Sequence, residues 1–482
     1  MAVSECEGKR VQRGEGEQVH VEGVERHHAV RCRDRGAVLG AHDGNATGGV
    51  INVKTRGGDP EETKGFAELS FVNLAGFLQG PISKKHNLTF TAAGRRSLID
   101  YVLPAVVPSD ANLSFTAAPI YYDGQLRIDW KPKYSDRVSL FLFGSSDELS
   151  LVNDNVNPNE PQATGNFDNY TGFVRPILSW VHETDELESR VVGSMGFGGF
   201  EVGVGPDRFF KVASKTGQVR TDVAWKPDKL VTFKGGVEHL YRQGKLNTKL
   251  PLPPAEGSGG VFNFSSMEPV EFDGTVTNNV SGGYMGAELH PTQRTTINPG
   301  IRLDYFHRFN AATWGPRLAV QHKVTDDITG KFAMGAYSRS AEQAEAFTTT
   351  LRPETATQYV LGGEYRIRPG LTFTNSLFYT DREGLIGQDP VRAQMDPQNA
   401  YINIGRGRSF GNEAVIRAQT PNFFGWVTYT LSRSDRVDTP LGDTRLFDYD
   451  QTHNLVAVAS YKWKKWQFGG RFQYSTGQPL TP

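Results

Sequence analysis

The sequence predicts an all-β protein, an antiparallel transmembrane β-barrel of about 18–19 strands. Three observations support this prediction. Apolar and charged residues alternate with a period of two along many segments, those segments are long, and the connections between them alternate between short and long. A soluble β-sandwich also shows alternation, so the lengths of segments and connections decide for a barrel.

The alternation is clear in QLRIDWK (125–131), where the even-numbered residues are apolar and the odd-numbered ones polar. Successive side chains of a strand point to opposite faces, so such a strand has one apolar and one charged face. Many segments run roughly 15–20 residues, against ~5–6 for a globular strand. A tilted strand needs ~9–11 residues to cross a bilayer. The same pattern recurs in residues 218–226, 231–238, 301–305, 314–323 and 371–379.

The connections predict the strand number. Nine short turns imply about 18 long strands, with one further short strand in front. Long polar stretches rich in Asn, Pro and Gly lie between them, at 150–169, 248–269 and 388–400. Short turns at one end and long loops at the other are typical of outer-membrane barrels. The turns lie at 81–86, 133–137, 183–186, 226–229, 290–293, 325–327, 368–370, 420–423 and 462–466.

Composition excludes other classes of protein. The chain has 482 residues and a net charge of −1, which gives no electrostatic reason to expect a nucleic-acid partner. No apolar run approaches the ~18 residues of a membrane helix, so a helical membrane protein is excluded. Both cysteines, Cys6 and Cys32, precede residue 44. A cysteine-free body suits a cell-envelope protein exposed to oxidising conditions.

Residues 1–43 differ from the rest of the chain. They contain no Phe, Tyr, Trp, Ile, Asn, Thr or Pro, and they lack the apolar core of a signal peptide. We hypothesise that they are translated out of frame or form a disordered leader. The genomic DNA tests this, because the first idea requires an upstream frame that encodes the expected preceding domain.

Several motifs, in order, resemble the TonB-dependent outer-membrane receptors. GNATGGVINVKTR (44–56) is similar to the last strand of that family's plug domain, through Gly44, Gly48, Gly49, Val50, Ile51, Asn52 and Val53. Further stretches resemble successive parts of the family's barrel: LQGPI (78–82), RPETATQYVLGGEYRI (352–367), GRGRSFGNEAVIRAQ (405–419), YDQTHNLVAVASYKW (449–463) and FQYSTGQPLTP (472–482).

The resemblance implies a plug domain followed by a barrel of 22 strands. We therefore expect residues 44–60 to be a remnant of the plug and 61–482 to be a barrel that is truncated at its C-terminus and incompletely closed. The implied function is active uptake of a scarce ligand, such as a siderophore, cobalamin, glycan or peptide, across the outer membrane of a Gram-negative bacterium. The implied partners are outer-membrane lipid, a small extracellular ligand and the TonB energy-transducing complex, whose contact box we expect to be absent from this chain.

Charged residues on the strand faces opposite the apolar ones are predicted to face the lumen. In a receptor of this family such residues contact the plug and line the transport path. The candidates are Arg127, Asp129, Arg220, Asp222, Arg302, Asp304, Glu364 and Arg366.

No motif predicts catalysis or a cofactor. Asp448, Asp450 and His453 lack a nucleophile, and on an alternating strand His453 would face away from the two carboxylates. His27, His28 and Cys32 match no zinc spacing. A weak Ca²⁺-loop candidate remains at Asp154, Asn157 and Glu160, without the turn glycine of such loops.

Two alternatives stay open. A passive outer-membrane porin predicts a closing strand at the C-terminus and no plug strand at the start. A soluble multi-domain β binding protein predicts strands of ordinary length and a product that is soluble without detergent.

Overall fold

A computed structural model of the protein describes residues 19–21, 30–34, 44–47, 51–106, 113–153, 165–205, 207–251, 269–341, 351–395, 400–438 and 442–479. Most of these residues are in antiparallel strands. The strands are β1 (Val19–Val21), β2 (Val30–Asp34), β3 (Ile51–Thr55), β4 (Lys64–Leu69), β5 (Asn73–Ser83), β6 (Leu88–Ser97), β7 (Leu113–Lys133), β8 (Asp136–Asn153), β9 (Gly165–Glu183), β10 (Leu187–Val204), β11 (Arg208–Trp225), β12 (Val231–Leu250), β13 (Val270–Thr292), β14 (Thr295–Phe306), β15 (Ala311–Lys323), β16 (Ile328–Arg339), β17 (Glu354–Arg368), β18 (Leu371–Gln388), β19 (Tyr401–Gln419), β20 (Phe423–Val437), β21 (Arg445–Leu446), β22 (His453–Trp463) and β23 (Trp466–Ser475).

Strands β4 to β23 form one sheet that curves into a barrel. Each strand from β4 to β20 pairs with the next in the chain. The two-residue β21 and the longer β22 both pair with β20, and β22 pairs with β23. The order is that of a ring with β4 next to β23, yet no described residues of these two strands pair, so the ring is not sealed there. All ten residues of β23 are exposed. The prediction of an incompletely closed barrel is confirmed.

The short connections confirm the predicted strand number. The nine predicted turns join strands at one end of the barrel, here called the turn end, and the opposite end is the loop end. One short strand, β4, precedes 18 long ones, and the two-residue β21 brings the sheet to 20 strands.

The connections at the loop end are not all long, contrary to the prediction from the sequence. The hairpins β10–β11 and β14–β15 close there with short turns, which follow Val204 and Phe306. Gly205 (φ 64°) and Asn310 (φ 47°) take the left-handed backbone conformation that such turns require.

The two faces of the sheet are segregated as the alternation predicts. On β14, Leu303 is 57% exposed on the convex face, whereas Arg302 and Asp304 are 2% and 4% exposed on the concave face. Large apolar side chains such as Met285 and Val237 continue the convex surface on neighbouring strands. The wall therefore has an apolar outside and a polar lumen.

The helices within the described residues are few and short. They are α1 (Ile99–Val106), α2 (Pro390–Met395) and a 3₁₀ turn at His307–Phe309, all at the loop end. Among the described residues, no helix has both the length and the apolar character to span a bilayer.

A separate three-stranded sheet precedes the barrel. β3, inside the predicted plug-strand motif, pairs antiparallel with β2, and β2 pairs with β1. The hypothesis about the origin of residues 1–43 stays a prediction, as do the proposed domain boundaries.

Candidate functional site on the lumen wall

One local motif recurs along the barrel strands. The pattern Arg-x-Asp occurs five times in the strands and strand ends, and in each case the guanidinium hydrogen-bonds the carboxylate two residues on. Residues i and i+2 of a strand lie on the same face, close enough for an arginine to reach an aspartate. The predicted pairs Arg127–Asp129, Arg220–Asp222 and Arg302–Asp304 belong to this set.

Two of these pairs join into one network, here called the lumen network. Arg302 Nη2 lies 2.6 Å from Asp304 Oδ1 and also bonds Glu238 on β12. Glu238 in turn lies 3.6 Å from Arg220 Nη1. Arg220 bonds Asp222 at 2.7 Å, and the Tyr284 hydroxyl donates to Asp222 at 2.6 Å. The network thus connects four adjacent strands, β11 to β14.

A chain segment runs from the lumen network to another part of the wall. This crossing segment comprises residues 44–58, of which 44–47 and 51–58 are described. Its two ends contact different strands. The contacts of the N-terminal end are here called the first anchor, and those of the C-terminal end the second anchor. It includes the plug-strand motif predicted from the sequence, although Gly48, Gly49 and Val50 lie outside the described residues.

The first anchor is the contact of Gly44, Asn45 and Thr47 with β14, with β17 and with the residue after β16. Gly44 lies so close to Arg302 that a Cβ at position 44 would collide with the guanidinium. Asn45 Oδ1 accepts a hydrogen bond from the Ser340 amide at 2.8 Å, and the Thr47 carbonyl accepts one from Gln358 Nε2 at 2.7 Å. This end is held by neutral hydrogen bonds and by close packing on an ion-paired arginine.

The second anchor is Thr55, Gly57 and Gly58 against β6 and β7. Arg127 Nη1 donates to the carbonyl and the hydroxyl of Thr55, both at 3.1 Å. The other guanidinium nitrogens bond Asp129 at 2.7 and 2.8 Å, and Ser139 also donates to Asp129. This end is therefore held by a charged donor that a carboxylate fixes in place.

A small cavity of about 60 Å³, lined by both polar and apolar side chains, lies beside the first anchor. Its walls include Arg302, Asp304, Arg317, Tyr337 and Ser338. The Arg317 guanidinium stacks on the Tyr337 ring, 4.4 Å from its centroid. A cavity of this size with polar groups in its walls has room for ordered water, so the wall next to the anchor is not tightly packed.

Beyond the second anchor, Asp59 orders the link to β4. Its Oδ2 lies 2.9 Å from Lys64 Nζ, while its Oδ1 accepts the amides of Glu61 and Glu62 at 2.9 and 3.2 Å. The hydrogen bond from Lys64, followed by those from the two amides, lowers the pKa of Asp59 to about 2.

Two predicted lumen residues lie apart from both anchors. Glu364 bonds Lys331 at 3.0 Å, and Arg366 lies 3.8 Å from Asp327. Both pairs are near the turn end and are substantially exposed. Period-two alternation assigned these residues to the concave face, but it gave no information on how far they lie from the turn end of the barrel.

The three rejected catalytic candidates, Asp448, Asp450 and His453, were assumed to lie on one alternating strand, and this assumption is wrong. Asp448 and Asp450 do not lie on an alternating strand, since β22 begins only at His453. Asp448 bonds Arg445 at 2.6 Å, Asp450 accepts the Ser434 amide at 2.7 Å, and His453 bonds the Tyr429 hydroxyl at 2.8 Å. Each side chain has its own structural partner. The Ca²⁺-loop candidates Asp154, Asn157 and Glu160 lie outside the described residues.

Sequence reasoning missed several residues of the two anchors and of the lumen network. Asn45, Thr55, Ser340, Gln358 and Tyr284 are ordinary polar residues without a spacing that marks them. The Arg-x-Asp repeat was a usable signal, because the two pairs nearest the anchors both carry it.

Comparisons with known proteins agree with this architecture. The family model described as TonB dependent receptor-like, beta-barrel matches residues 83–481. The siderophore receptor PirA from Acinetobacter baumannii superposes with a TM-score of 0.70 at 14% identity, covering 92% of this chain and 72% of that one. The ferric yersiniabactin uptake receptor FyuA from Yersinia pestis gives 0.66 at 13% identity, covering 92% and 73%.

A further solved structure, PirA from Pseudomonas aeruginosa, gives a TM-score of 0.64 at 14% identity and covers 95% of this chain and 80% of that one. No curated protein matches the sequence. At these identities the solved structures support the fold, and the family model spans most of the chain. The chain belongs to the TonB-dependent receptor family.

Proposed function

We propose that the chain forms the wall of an outer-membrane receptor that takes up a scarce ligand with energy from the TonB complex. The observation that supports this most directly is the crossing segment, which is fixed to the lumen wall at both ends. In an open pore, a strand across the lumen would obstruct diffusion. In a receptor, it is part of the domain that must move before a ligand passes.

The apolar convex face supports a membrane location, and the family points to the outer membrane of a Gram-negative bacterium. A ferric siderophore is the favoured ligand class, because the solved structures of similar fold include siderophore receptors and a ferric yersiniabactin receptor. A shared fold at 13–14% identity does not determine which ligand a protein binds. The ligand therefore has to be tested directly.

The test is uptake of ⁵⁵Fe-labelled siderophores by outer-membrane-localised protein in cells that lack their own receptors. We expect uptake that stops when the TonB complex is deleted or a protonophore is added. Energy-independent passage of small sugars into proteoliposomes, without iron uptake, would instead establish the passive porin. Recovery of folded protein from the soluble fraction would contradict both membrane functions.

A further inference from the structure

Three polar side chains interrupt the apolar convex face, midway along β12 and β13 and at the loop end of the shorter β14. We call His239, Ser281 and His307 the His-Ser-His cluster. His239 on β12 is the cross-strand partner of Ser281 on β13, and Ser281 is the partner of Tyr305 on β14. His307 follows Tyr305 by two residues and begins the tight turn to β15. Three adjacent strands thus place these side chains together on the convex face, on the opposite side of the sheet from the lumen network.

The two imidazoles converge on one point. His239 Nδ1 lies 2.9 Å from Ser281 Oγ, and His307 Nε2 lies 2.8 Å from the same oxygen. The ring centroids are 5.8 Å apart with an interplanar angle of 78°. Tyr305 supports the His307 ring edge-to-face at 4.8 Å, and its own hydroxyl donates to Asn310 Oδ1 at 2.6 Å. The His307 ring is therefore oriented by a neighbour.

The cluster lies where the convex surface changes character. Toward the turn end, Val237, Met285 and Leu303 are exposed and apolar on the same three strands. Toward the loop end, the convex positions of β12 and β13 become polar, and Lys245 pairs with Asp273 at 3.9 Å. The apolar band thus ends at the cluster, so both exposed histidines are accessible from water on the loop side.

We propose that the His-Ser-His cluster is a binding site for a divalent transition-metal ion, with His239 Nδ1 and His307 Nε2 as ligands. Neutral imidazole is the commonest protein ligand for such ions, and Cu²⁺ binds most strongly among the first-row divalent metals. No group of three or more His, Cys, Asp and Glu side chains converges in the described part of the chain, so water completes the coordination. Both rings are exposed and their nitrogens already converge on Ser281 Oγ, so rotation of the rings brings them onto one metal, with the Ser281 hydroxyl as a hydrogen-bonding neighbour.

The test is Cu²⁺ binding to the full chain in detergent micelles, followed by calorimetry and by electron paramagnetic resonance. Wild-type protein should bind one Cu²⁺ equivalent that His239→Ala and His307→Gln each weaken by at least the ~10–100-fold seen when a supporting residue of a metal site is lost. Nitrogen hyperfine structure from two imidazoles should be present in the wild type and change in both variants. Ser281→Ala should retain this binding.

His453→Ala is the matched control, because the ring of this histidine bonds the Tyr429 hydroxyl at 2.8 Å and lies far along the chain from the cluster. It should bind Cu²⁺ like the wild type. Unchanged circular dichroism and heat-dependent gel mobility show that each variant is folded. Equal Cu²⁺ stoichiometry and spectra in the wild type, His239→Ala and His307→Gln would overturn the proposal, since other histidines would then account for the metal.

Discussion

The two ends of the crossing segment are attached by different physical means. At the first anchor, Asn45 and Thr47 use uncharged amide hydrogen bonds to Ser340 and Gln358. At the second anchor, a single charged side chain, Arg127, bonds Thr55 twice. Hydrogen bonds from a charged donor contribute about twice as much as neutral ones. We therefore expect the first anchor to release before the second when the segment is pulled from its N-terminal side.

The largest effect is expected at the lumen network, which supports the first anchor. Arg302→Ala leaves Asp304, 4% exposed, without its arginine and removes a partner of Glu238. Removing one partner of a buried ion pair typically costs about 3–5 kcal/mol in the free energy of unfolding. Chemical unfolding of the protein in micelles measures this change.

The control for that measurement is Arg366→Ala. Arg366 is on the same face, but it is exposed and lies 3.8 Å from Asp327. We expect a change within about 0.5 kcal/mol. Similar losses in the two variants would show that the lumen network has no special role in stability.

The second anchor should weaken when its charge is removed. Arg127→Gln loses both bonds to Thr55 and leaves Asp129 with the hydroxyl of Ser139, at a cost of about 2–3 kcal/mol. A spin label at position 56, in protein with both native cysteines replaced by serine, should become more mobile. A label at position 46 should respond much less, and equal responses would mean that the two anchors release together.

A smaller effect is expected when the first anchor is disturbed directly. Gly44→Ala introduces the Cβ that collides with Arg302, so the Asn45 and Thr47 bonds are strained. Loss of about 1.4 kcal/mol would speed hydrogen exchange of the Ser340 amide about tenfold. Gly76→Ala is the control, because a Cβ there meets no atom within 4 Å. Unchanged exchange in Gly44→Ala would show that the guanidinium moves aside freely.

The smallest effect is expected when low pH protonates Asp59. The pKa of Asp59 is about 2 in the folded chain, below its ordinary value of 3.8. The stabilisation that the Asp59 carboxylate gives to the link before β4 is therefore fully present above pH 3.8. It should be lost as pH falls from about 4 toward 2. Protection factors of the Glu61 and Glu62 amides measure this. In Asp59→Asn they should be low already at neutral pH and should lack that acid transition.

The number of strands, and the face of the sheet on which each side chain lies, were predictable because both are local properties. The nine turns and the period-two alternation each involve residues close in sequence, and the side chains of β14 divide between its faces as expected. The anchors were not predictable in this way. Ser340 and Gln358 lie 295 and 311 residues from their partners, and only the curvature of the whole sheet brings them together. Glu364 shows the intermediate case, where the face was predicted but not the height in the barrel.

The strictly sequential pairing of the barrel strands has a consequence for assembly. Each long strand can join the hairpin made just before it, so the wall grows through short loop closures with a low entropic cost. The first anchor cannot form in this manner, because Asn45 and Thr47 must wait until β16 and β17 have been added. The second anchor needs only β7, so the segment is tethered early at Thr55 and captured late at Asn45.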